Sequence, residues 1–350
     1  MAPSAFLTHL AFCALLAVLS ACVVRAMVEV RVLDQPDPRK AHRAPVPKGG
    51  GVGVVAAFLA GMGVLYAFAA SSRIDDPYFQ GVILASAAIA AVSLADDMLD
   101  WPFTVKLAAQ LGAGLTAIAS GLWVESVNLP GFGAVPLGWL GVPLSLGWLL
   151  LVTNAVNFID GLNGLAAGAC MVACLFLAAI AGDQGAWFAY FASLVLAAGL
   201  AGFLPFNFPR ARIFLGDVGS QFCGFVLAVL GIAAGRFQAV PLSALLVPML
   251  LSAVLWDVLF TLARRLLAGD RVTAPHRGHL YQLAHRTGVP AWALSVLYWG
   301  FGAWGGIVAM AFVQASPAWK PVMPLLVAPP LMGWTFWVLQ RAAGRDIGHW

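Results

Sequence analysis

The sequence predicts an all-α polytopic membrane protein, a single integral membrane domain over residues 1–350 built as a bundle of about eleven transmembrane helices. Three observations carry this. Of 350 residues 61% are apolar, mean hydropathy is +0.89, and only 10% are Asp, Glu, Lys or Arg, against roughly 25% in an ordinary soluble domain. The apolar residues fall into runs near 20 residues, and about 20 residues of helix span the roughly 30 Å hydrocarbon core. Within the runs hydrophobicity is uniform, whereas a transmembrane β-barrel alternates in short segments. A water-soluble enzyme and a disordered chain are excluded by the missing charged coat. With a net charge of +4 and scattered basic residues, nothing marks a nucleic-acid binder.

The segments fall at 5–24, 50–70, 79–95, 104–123, 137–156, 164–181, 186–204, 220–235, 240–263, 291–313 and 321–340. The first contains Leu19-Ser20-Ala21-Cys22, which mimics a lipoprotein cleavage site. No Lys or Arg precedes it, so the segment reads as an uncleaved helix. The second opens on Gly49-Gly50-Gly51 with Gly53. No strand precedes these glycines and no GK[ST] follows, so they read as close packing and not as a nucleotide loop. The remaining runs carry Gly and Ala at a density suited to close helix contacts. Cys13, Cys22, Cys170, Cys174 and Cys223 all sit inside apolar runs without a CxxC pair, and read as buried thiols.

Orientation follows from the positive-inside rule. With the N-terminus outside and the C-terminus cytoplasmic, 16 of the 19 basic residues lie inside; Arg73, Arg236 and Lys320 lie outside. The two long non-membrane stretches, 25–49 and 264–290, are then cytoplasmic.

Ionisable groups near lipid are costly and mark functional sites. Asp96, Asp97 and Asp100 end the third segment, and Asn154, Asn157 and Asp160 end the fifth. Asn207 and Asp217 lie between the seventh and eighth, Asp257 within the ninth, and His276 and His279 after it. All fall on or near the cytoplasmic side. Carboxylates and amides with Lys and Arg nearby suit a hard cation and phosphates, hence chemistry on a pyrophosphate at a membrane surface. Taken singly, each group has a structural alternative. Asp96-Asp97 and Asp217 serve equally as helix caps, Asn154 and Asn157 as interhelical hydrogen-bonders, Asp257 as a paired structural acid, and the histidines as solvated loop residues. Lys40, His42 and Arg43 serve equally to enforce topology.

Taken together and in order, these segments resemble the polyprenyl-phosphate N-acetylhexosamine-1-phosphate transferases over roughly residues 30–290. Asp34 to His42 with Pro45, Pro47 and Gly49-Gly50 looks like the family's first cytoplasmic loop. Asp96-Asp97-Met98-Leu99-Asp100 looks like its paired-aspartate motif, with Lys106 at the place of a family lysine. Asn154-Ala155-Val156-Asn157-Phe158-Ile159-Asp160-Gly161 is similar to the NxxN…DG motif, and Asn207 through Phe214-Leu215-Gly216-Asp217-Val218-Gly219-Ser220 to the magnesium motif. Pro275-His276-Arg277-Gly278-His279-Leu280-Tyr281-Gln282 resembles the histidine-rich loop.

The resemblance implies transfer of an N-acetylaminosugar-1-phosphate from a UDP-sugar to undecaprenyl phosphate, with release of UMP. This would occur on the cytoplasmic face of a bacterial inner membrane and start an O-antigen or similar lipid-linked glycan. It implies Mg2+ or Mn2+ held by Asp217, with Asp96 binding or deprotonating the lipid phosphate and Asp97 supporting it. Asn157 and Asp160 would shape the nucleotide-diphosphate site, and Asn154, Gly161 and Asn207 would also bind substrate. Phe214 would pack against uracil, and Lys106, His276, Arg277 and His279 would contact phosphates or the sugar. Asn163 stands where many relatives carry a second acid, so that an amide would meet the uracil. The short loop from His276 to Gln282, with Leu280 and Tyr281, is compatible with a 6-deoxy aminosugar. A homodimer is compatible with the family. The muramyl-pentapeptide translocase is the alternative within the family, although the first loop lacks its TPTMGG run. Outside the family the alternative is a transporter, which would hold its polar groups at the midplane.

Overall fold

The computed structural model describes residues 3–34, 45–68, 76–99, 101–129, 133–236, 243–271, 276–345 and 347. Lys40, His42, Arg43, Asp100 and Pro275 lie outside these.

The chain is a multi-pass helical membrane protein. Helices α1 (Pro3–Val30), α2 (Gly51–Phe68), α3 (Asp76–Leu99), α4 (Phe103–Ala119), α5 (Gly141–Ile159), α6 (Leu165–Asp183) and α7 (Trp187–Asn207) follow the first seven apolar runs. They are followed by α8 (Gly216–Arg236), α9 (Leu246–Leu250), α10 (Ser252–Leu267), α11 (Leu280–Arg286), α12 (Ala291–Gln314) and α13 (Ala328–Ala343). Among the described residues, eight helices are long and apolar enough to cross a membrane: α1, α2, α3, α5, α6, α7, α8 and α12.

Three of the eleven expected segments differ from single long spans. Helix α4 has 17 residues. The run 240–263 contains two helices, α9 and α10, separated at Leu251, and α10 carries Asp257 on its buried side and Arg264 and Arg265 in its last turn. Before α13, the run 321–340 begins with a 3-10 turn over Met323–Val327.

Two small antiparallel ribbons, too short to leave a period-two signal, add to the helices. β1 (Leu33–Asp34) pairs with β2 (Val46–Pro47), and β3 (Ser126–Leu129) with β4 (Gly133–Pro136).

Helix α8 is the axis of the bundle. It packs on α3 and α5, and 94% of its membrane window is buried inside the protein, against 17% for α1 at the periphery. Close approach at the start of α8 depends on glycine. A Cβ at Gly51 would lie 2.2 Å from the Gly219 Cα, so α2 and α8 touch backbone to backbone. The glycines of the second segment are therefore packing residues, as their sequence context suggests.

Candidate active site

The polar residues at the ends of α3, α5 and α7 and the start of α8 converge on one cavity of about 500 Å3. Its walls include Asp34, Lys48, Asp96, Asp97, Lys106, Asp160, Gly161, Asn163, Asn207, Phe214, Asp217 and Arg277. Residues as far apart in the chain as Asp34 and Arg277 thus meet at one end of the bundle.

Backbone pairing builds the rim. The ribbon β1–β2 sets Leu33 opposite Pro47 and Asp34 opposite Val46. Phe214 N–H donates to the Pro47 carbonyl at 2.8 Å, Gly50 N–H to the Phe214 carbonyl at 2.9 Å, and Gly51 N–H to the Leu215 carbonyl at 2.8 Å. These bonds zip the segment before α2 onto the turn before α8, which sets Lys48 and Asp217 on the same cavity.

The floor is a cluster of charges. Lys106 Nζ lies 2.6 Å from Asp96 Oδ2 and 2.9 Å from Asp217 Oδ2, so one ammonium bridges α3 and α8. Asp97 accepts the N–H groups of Asp217 and Val218, and Lys48 Nζ stands 3.6 Å from its Oδ1. The turn into α8 needs Gly216, whose φ is +77° and whose hypothetical Cβ would meet Asp97 Oδ2 at 2.7 Å. Asn157 Nδ2 donates to Asp217 Oδ1 at 3.0 Å and to Ser220 Oγ at 2.9 Å. Asp160 sits just beyond α5. Burial, followed by the charges of Asp217 and Asp97, pushes its carboxyl up to about 8.

Several expected site residues have structural partners instead. Asn154 does not line the cavity; its amide pairs with Gln110. Asn207 lines the cavity, yet its Oδ1 accepts the Gly164 N–H and its Nδ2 donates to the Ile213 carbonyl at 2.9 Å, tying the loop after α7 to the start of α6. Asn163 Nδ2 donates to the Pro209 carbonyl at 3.2 Å.

Within the histidine loop, Arg277, Tyr281 and Gln282 line the cavity, whereas His276 and His279 do not. His279 is buried, with Nδ1 3.1 Å from Asp257 Oδ1. Asp257 is fully buried and also accepts the N–H groups of Leu280 and Tyr281 and the hydroxyls of Tyr298 and Thr261. The acid noticed in the ninth segment is therefore the N-terminal anchor of α11. His276 Nδ1 accepts the Gly278 N–H at 3.2 Å, and burial together with the neighbouring His279, Arg265 and Arg264 lowers its pKa to about 4. Leu280 and Tyr281 are each only 1% exposed, and the Tyr281 hydroxyl donates to the Phe158 carbonyl at 3.0 Å. Leu280 thus packs into the core, whereas Tyr281 keeps an edge on the cavity. Sequence reasoning passed over Lys48, Gln110 and Gln221; only the charge of Lys48, in a loop already singled out, offered a signal.

Among the described residues, no three His, Cys, Asp or Glu side chains form a metal-ligating group. The donor set still fits a hard cation. Mg2+ is commonly held by one or two carboxylates together with substrate phosphates and waters, and Asp217 supplies such an oxygen in the cavity wall.

Residues 79–235 match the family described as glycosyl transferase family 4. A protein of Bacillus subtilis named "Probable undecaprenyl-phosphate N-acetylglucosaminyl 1-phosphate transferase" is 30% identical over 78% of this chain and 76% of its own length. The decaprenyl-phosphate N-acetylglucosaminephosphotransferase of Mycobacterium leprae is 32% identical over 78% of this chain and 74% of its own. The phospho-N-acetylmuramoyl-pentapeptide-transferase of a Synechococcus species is 35% identical over 72% of this chain and 75% of its own. A charged cavity at one end of an apolar bundle and these likenesses lead to one conclusion: the chain is a phosphoglycosyltransferase and belongs to glycosyl transferase family 4, among the polyprenyl-phosphate N-acetylhexosamine-1-phosphate transferases.

Proposed function

We propose that the protein transfers N-acetylglucosamine-1-phosphate from UDP-N-acetylglucosamine to undecaprenyl phosphate, releasing UMP and starting a lipid-linked glycan such as an O-antigen. The observation that carries this reading is the Lys106 ammonium held between Asp96 and Asp217 in the cavity wall. A cation between two carboxylates on the wall of this cavity is suited to exchange one anionic partner for a phosphoryl oxygen. The names of the Bacillus and Mycobacterium relatives support N-acetylglucosamine over the 6-deoxy sugars.

In this reading Asp96 orients the lipid phosphate and Asp97 supports the start of α8. Asn157 holds Asp217 from behind, Asp160 and Gly161 border the nucleotide diphosphate, Phe214 meets the uracil, and Arg277 meets phosphate or sugar. Asp217 would hold Mg2+ or Mn2+, which when bound neutralises charge on the diphosphate. The lipid phosphate oxyanion is itself a nucleophile, so a single displacement needs no covalent aspartyl intermediate. The eleven segments then run with the N-terminus outside and the C-terminus inside a bacterial inner membrane, with the cavity facing the cytoplasm, where UDP-sugars are found; a homodimer is compatible with this arrangement.

A second reading, transfer of phospho-N-acetylmuramoyl-pentapeptide, is favoured by the 35% identity to the Synechococcus enzyme. One assay separates them. Purified protein is offered undecaprenyl phosphate and Mg2+ with a panel of UDP-N-acetylglucosamine, its 6-deoxy analogues and UDP-N-acetylmuramoyl-pentapeptide, and the lipid product is identified by mass spectrometry. A lipid-linked N-acetylglucosamine pyrophosphate is the expected product. A muramoyl product would establish the second reading, and no product with any donor would refute both.

A further inference from the structure

Behind Asp217 runs a buried chain of amides that the reaction as described does not use. Gln110 of α4 is 4% exposed and Gln221 of α8 is 3% exposed. Asn154 Nδ2 donates to the Leu150 carbonyl at 2.8 Å and to Gln110 Oε1 at 2.7 Å. Gln110 Nε2 donates back to Asn154 Oδ1 at 3.3 Å and onward to Gln221 Oε1 at 3.0 Å. Gln221 Nε2 donates to Asp217 Oδ2 at 3.3 Å.

The direction of this chain is fixed by its ends. A backbone carbonyl only accepts, so Asn154 must turn its nitrogen to Leu150 and to Gln110 Oε1. The other half of the Gln110 amide is then a donor, and it meets the oxygen of Gln221. That leaves the Gln221 nitrogen to face Asp217, an acceptor when ionised. Among the described residues Asp217 thus has donors on both oxygens: Asn157 on Oδ1, and Lys106 and Gln221 on Oδ2.

We infer that Gln110 and Gln221 are positioning residues: Gln110, itself held by Asn154, locks the Gln221 amide in the one orientation that donates to Asp217 and so fixes how that carboxylate faces the cavity. This rests on the reading of Asp217 as the cation ligand. Without Gln110, Gln221 is free to turn its oxygen toward Asp217, where two acceptors oppose each other and the carboxylate rotates away.

The test uses Gln110→Met, Gln221→Met, the double variant and Asp217→Asn, all purified in detergent. The readouts are Mn2+ affinity, from the electron paramagnetic resonance signal of free Mn2+, and kcat at saturating Mg2+. Each methionine variant should weaken Mn2+ binding at least fivefold and lower kcat. The double variant should match the weaker single one, because both act through one hydrogen bond to Asp217. Unchanged Mn2+ affinity, or losses that multiply in the double variant, would overturn the inference. Should Gln110→Met fail to fold, Gln221→Met alone decides, with unchanged Mn2+ affinity again the overturning result. Asp217→Asn separates the two levels: if it binds Mn2+ as the wild type does, the metal reading falls and takes the positioning chain with it. If it abolishes binding while the methionine variants leave binding intact, only the positioning chain falls.

Discussion

Asp97, in the last turn of α3, caps the N-terminus of α8 beside Asp217: its Oδ1 accepts the Asp217 N–H at 3.3 Å and its Oδ2 the Val218 N–H at 3.1 Å. A carboxylate there satisfies two orphan donors and faces the positive end of the helix dipole. Losing such a cap costs about 1 kcal/mol. Asp97→Ala should therefore lower thermal stability in detergent by about that amount and reduce turnover through misplacement of Asp217. Asp97→Asn, which keeps one acceptor oxygen, should lose less stability. Equal stability of Asp97→Ala and wild type would show that another group caps α8.

Lys106 should be more sensitive than its exposure suggests. It pairs with Asp96 and Asp217 together. Lys106→Met would leave the two carboxylates facing one another without a cation, and removal of one electrostatic contact at a reacting charge typically lowers rates on the order of 100-fold. Lys106→Arg should restore only part of the rate, because a planar fork does not reproduce a compact ammonium between two oxygens. Steady-state kcat for the three proteins checks this. Full activity of Lys106→Met would make the bridge a structural feature alone.

Asp96 separates the two substrates. Its Oδ1 accepts the Trp101 N–H at 2.9 Å, which leaves Oδ2 toward Lys106 and the cavity. If it meets the lipid phosphate, Asp96→Asn should lose most turnover yet bind UDP-sugar in an equilibrium titration at near wild-type affinity. Loss of nucleotide binding in a folded variant would reassign Asp96 to the diphosphate. Incubation with radiolabelled UDP-sugar in the absence of lipid should leave no label on the protein.

These residues were legible in the sequence for a physical reason: an ionisable side chain ending an apolar run has no cheap place in a membrane, so Asp96, Asp97 and Asp217 announced themselves. Asn157 followed from its motif. Gln110 and Gln221 did not, because a neutral amide inside a helix carries no charge signal, and only the folded structure shows that the two face each other. Asn154 was noticed for its polarity, but its partner lies 44 positions away. Asp257 was likewise visible as an acid, while its bond to His279 required α11 to fold back onto α10. The break at Leu251 was hidden in a continuous apolar run, with only Pro248, three residues before it, as a signal. The apolar character of Leu280 serves the core while Tyr281 lines the cavity, a difference set only by how α11 folds back.

His276 gives a pH test. Its Nδ1 accepts the Gly278 N–H, and burial first, then His279, Arg265 and Arg264, lower its pKa to about 4. The opposing charge of Asp257 does not reverse this. An unfolded histidine titrates near 6.5, so between about pH 6.5 and 4 the unfolded chain binds more protons at this residue and stability falls as pH drops. His276→Gln should flatten the decline of melting temperature across that window and leave the shape of the kcat profile between pH 5.5 and 8 unchanged. An acid limb near pH 6.5 that vanishes in His276→Gln would mean that the imidazole is charged in the working enzyme.

The orientation can be read directly from two surface positions. In a Cys-free variant, single cysteines replace Arg271, in the exposed segment after α10, and Ser316, in the turn after α12. Sixteen of the 19 basic residues were assigned to one side, and Arg271 lies on the same side as the cavity residue Arg277. The bias arises because Lys and Arg near span ends resist translocation, so that side should be cytoplasmic. An impermeant maleimide should label Ser316→Cys on intact cells and Arg271→Cys only after the membrane is opened. The reverse pattern would turn the molecule over and put the cavity on the outer face, away from UDP-sugars. That result would defeat the proposed substrate, since Asp96, Lys106 and Asp217 would then face a compartment without the donor.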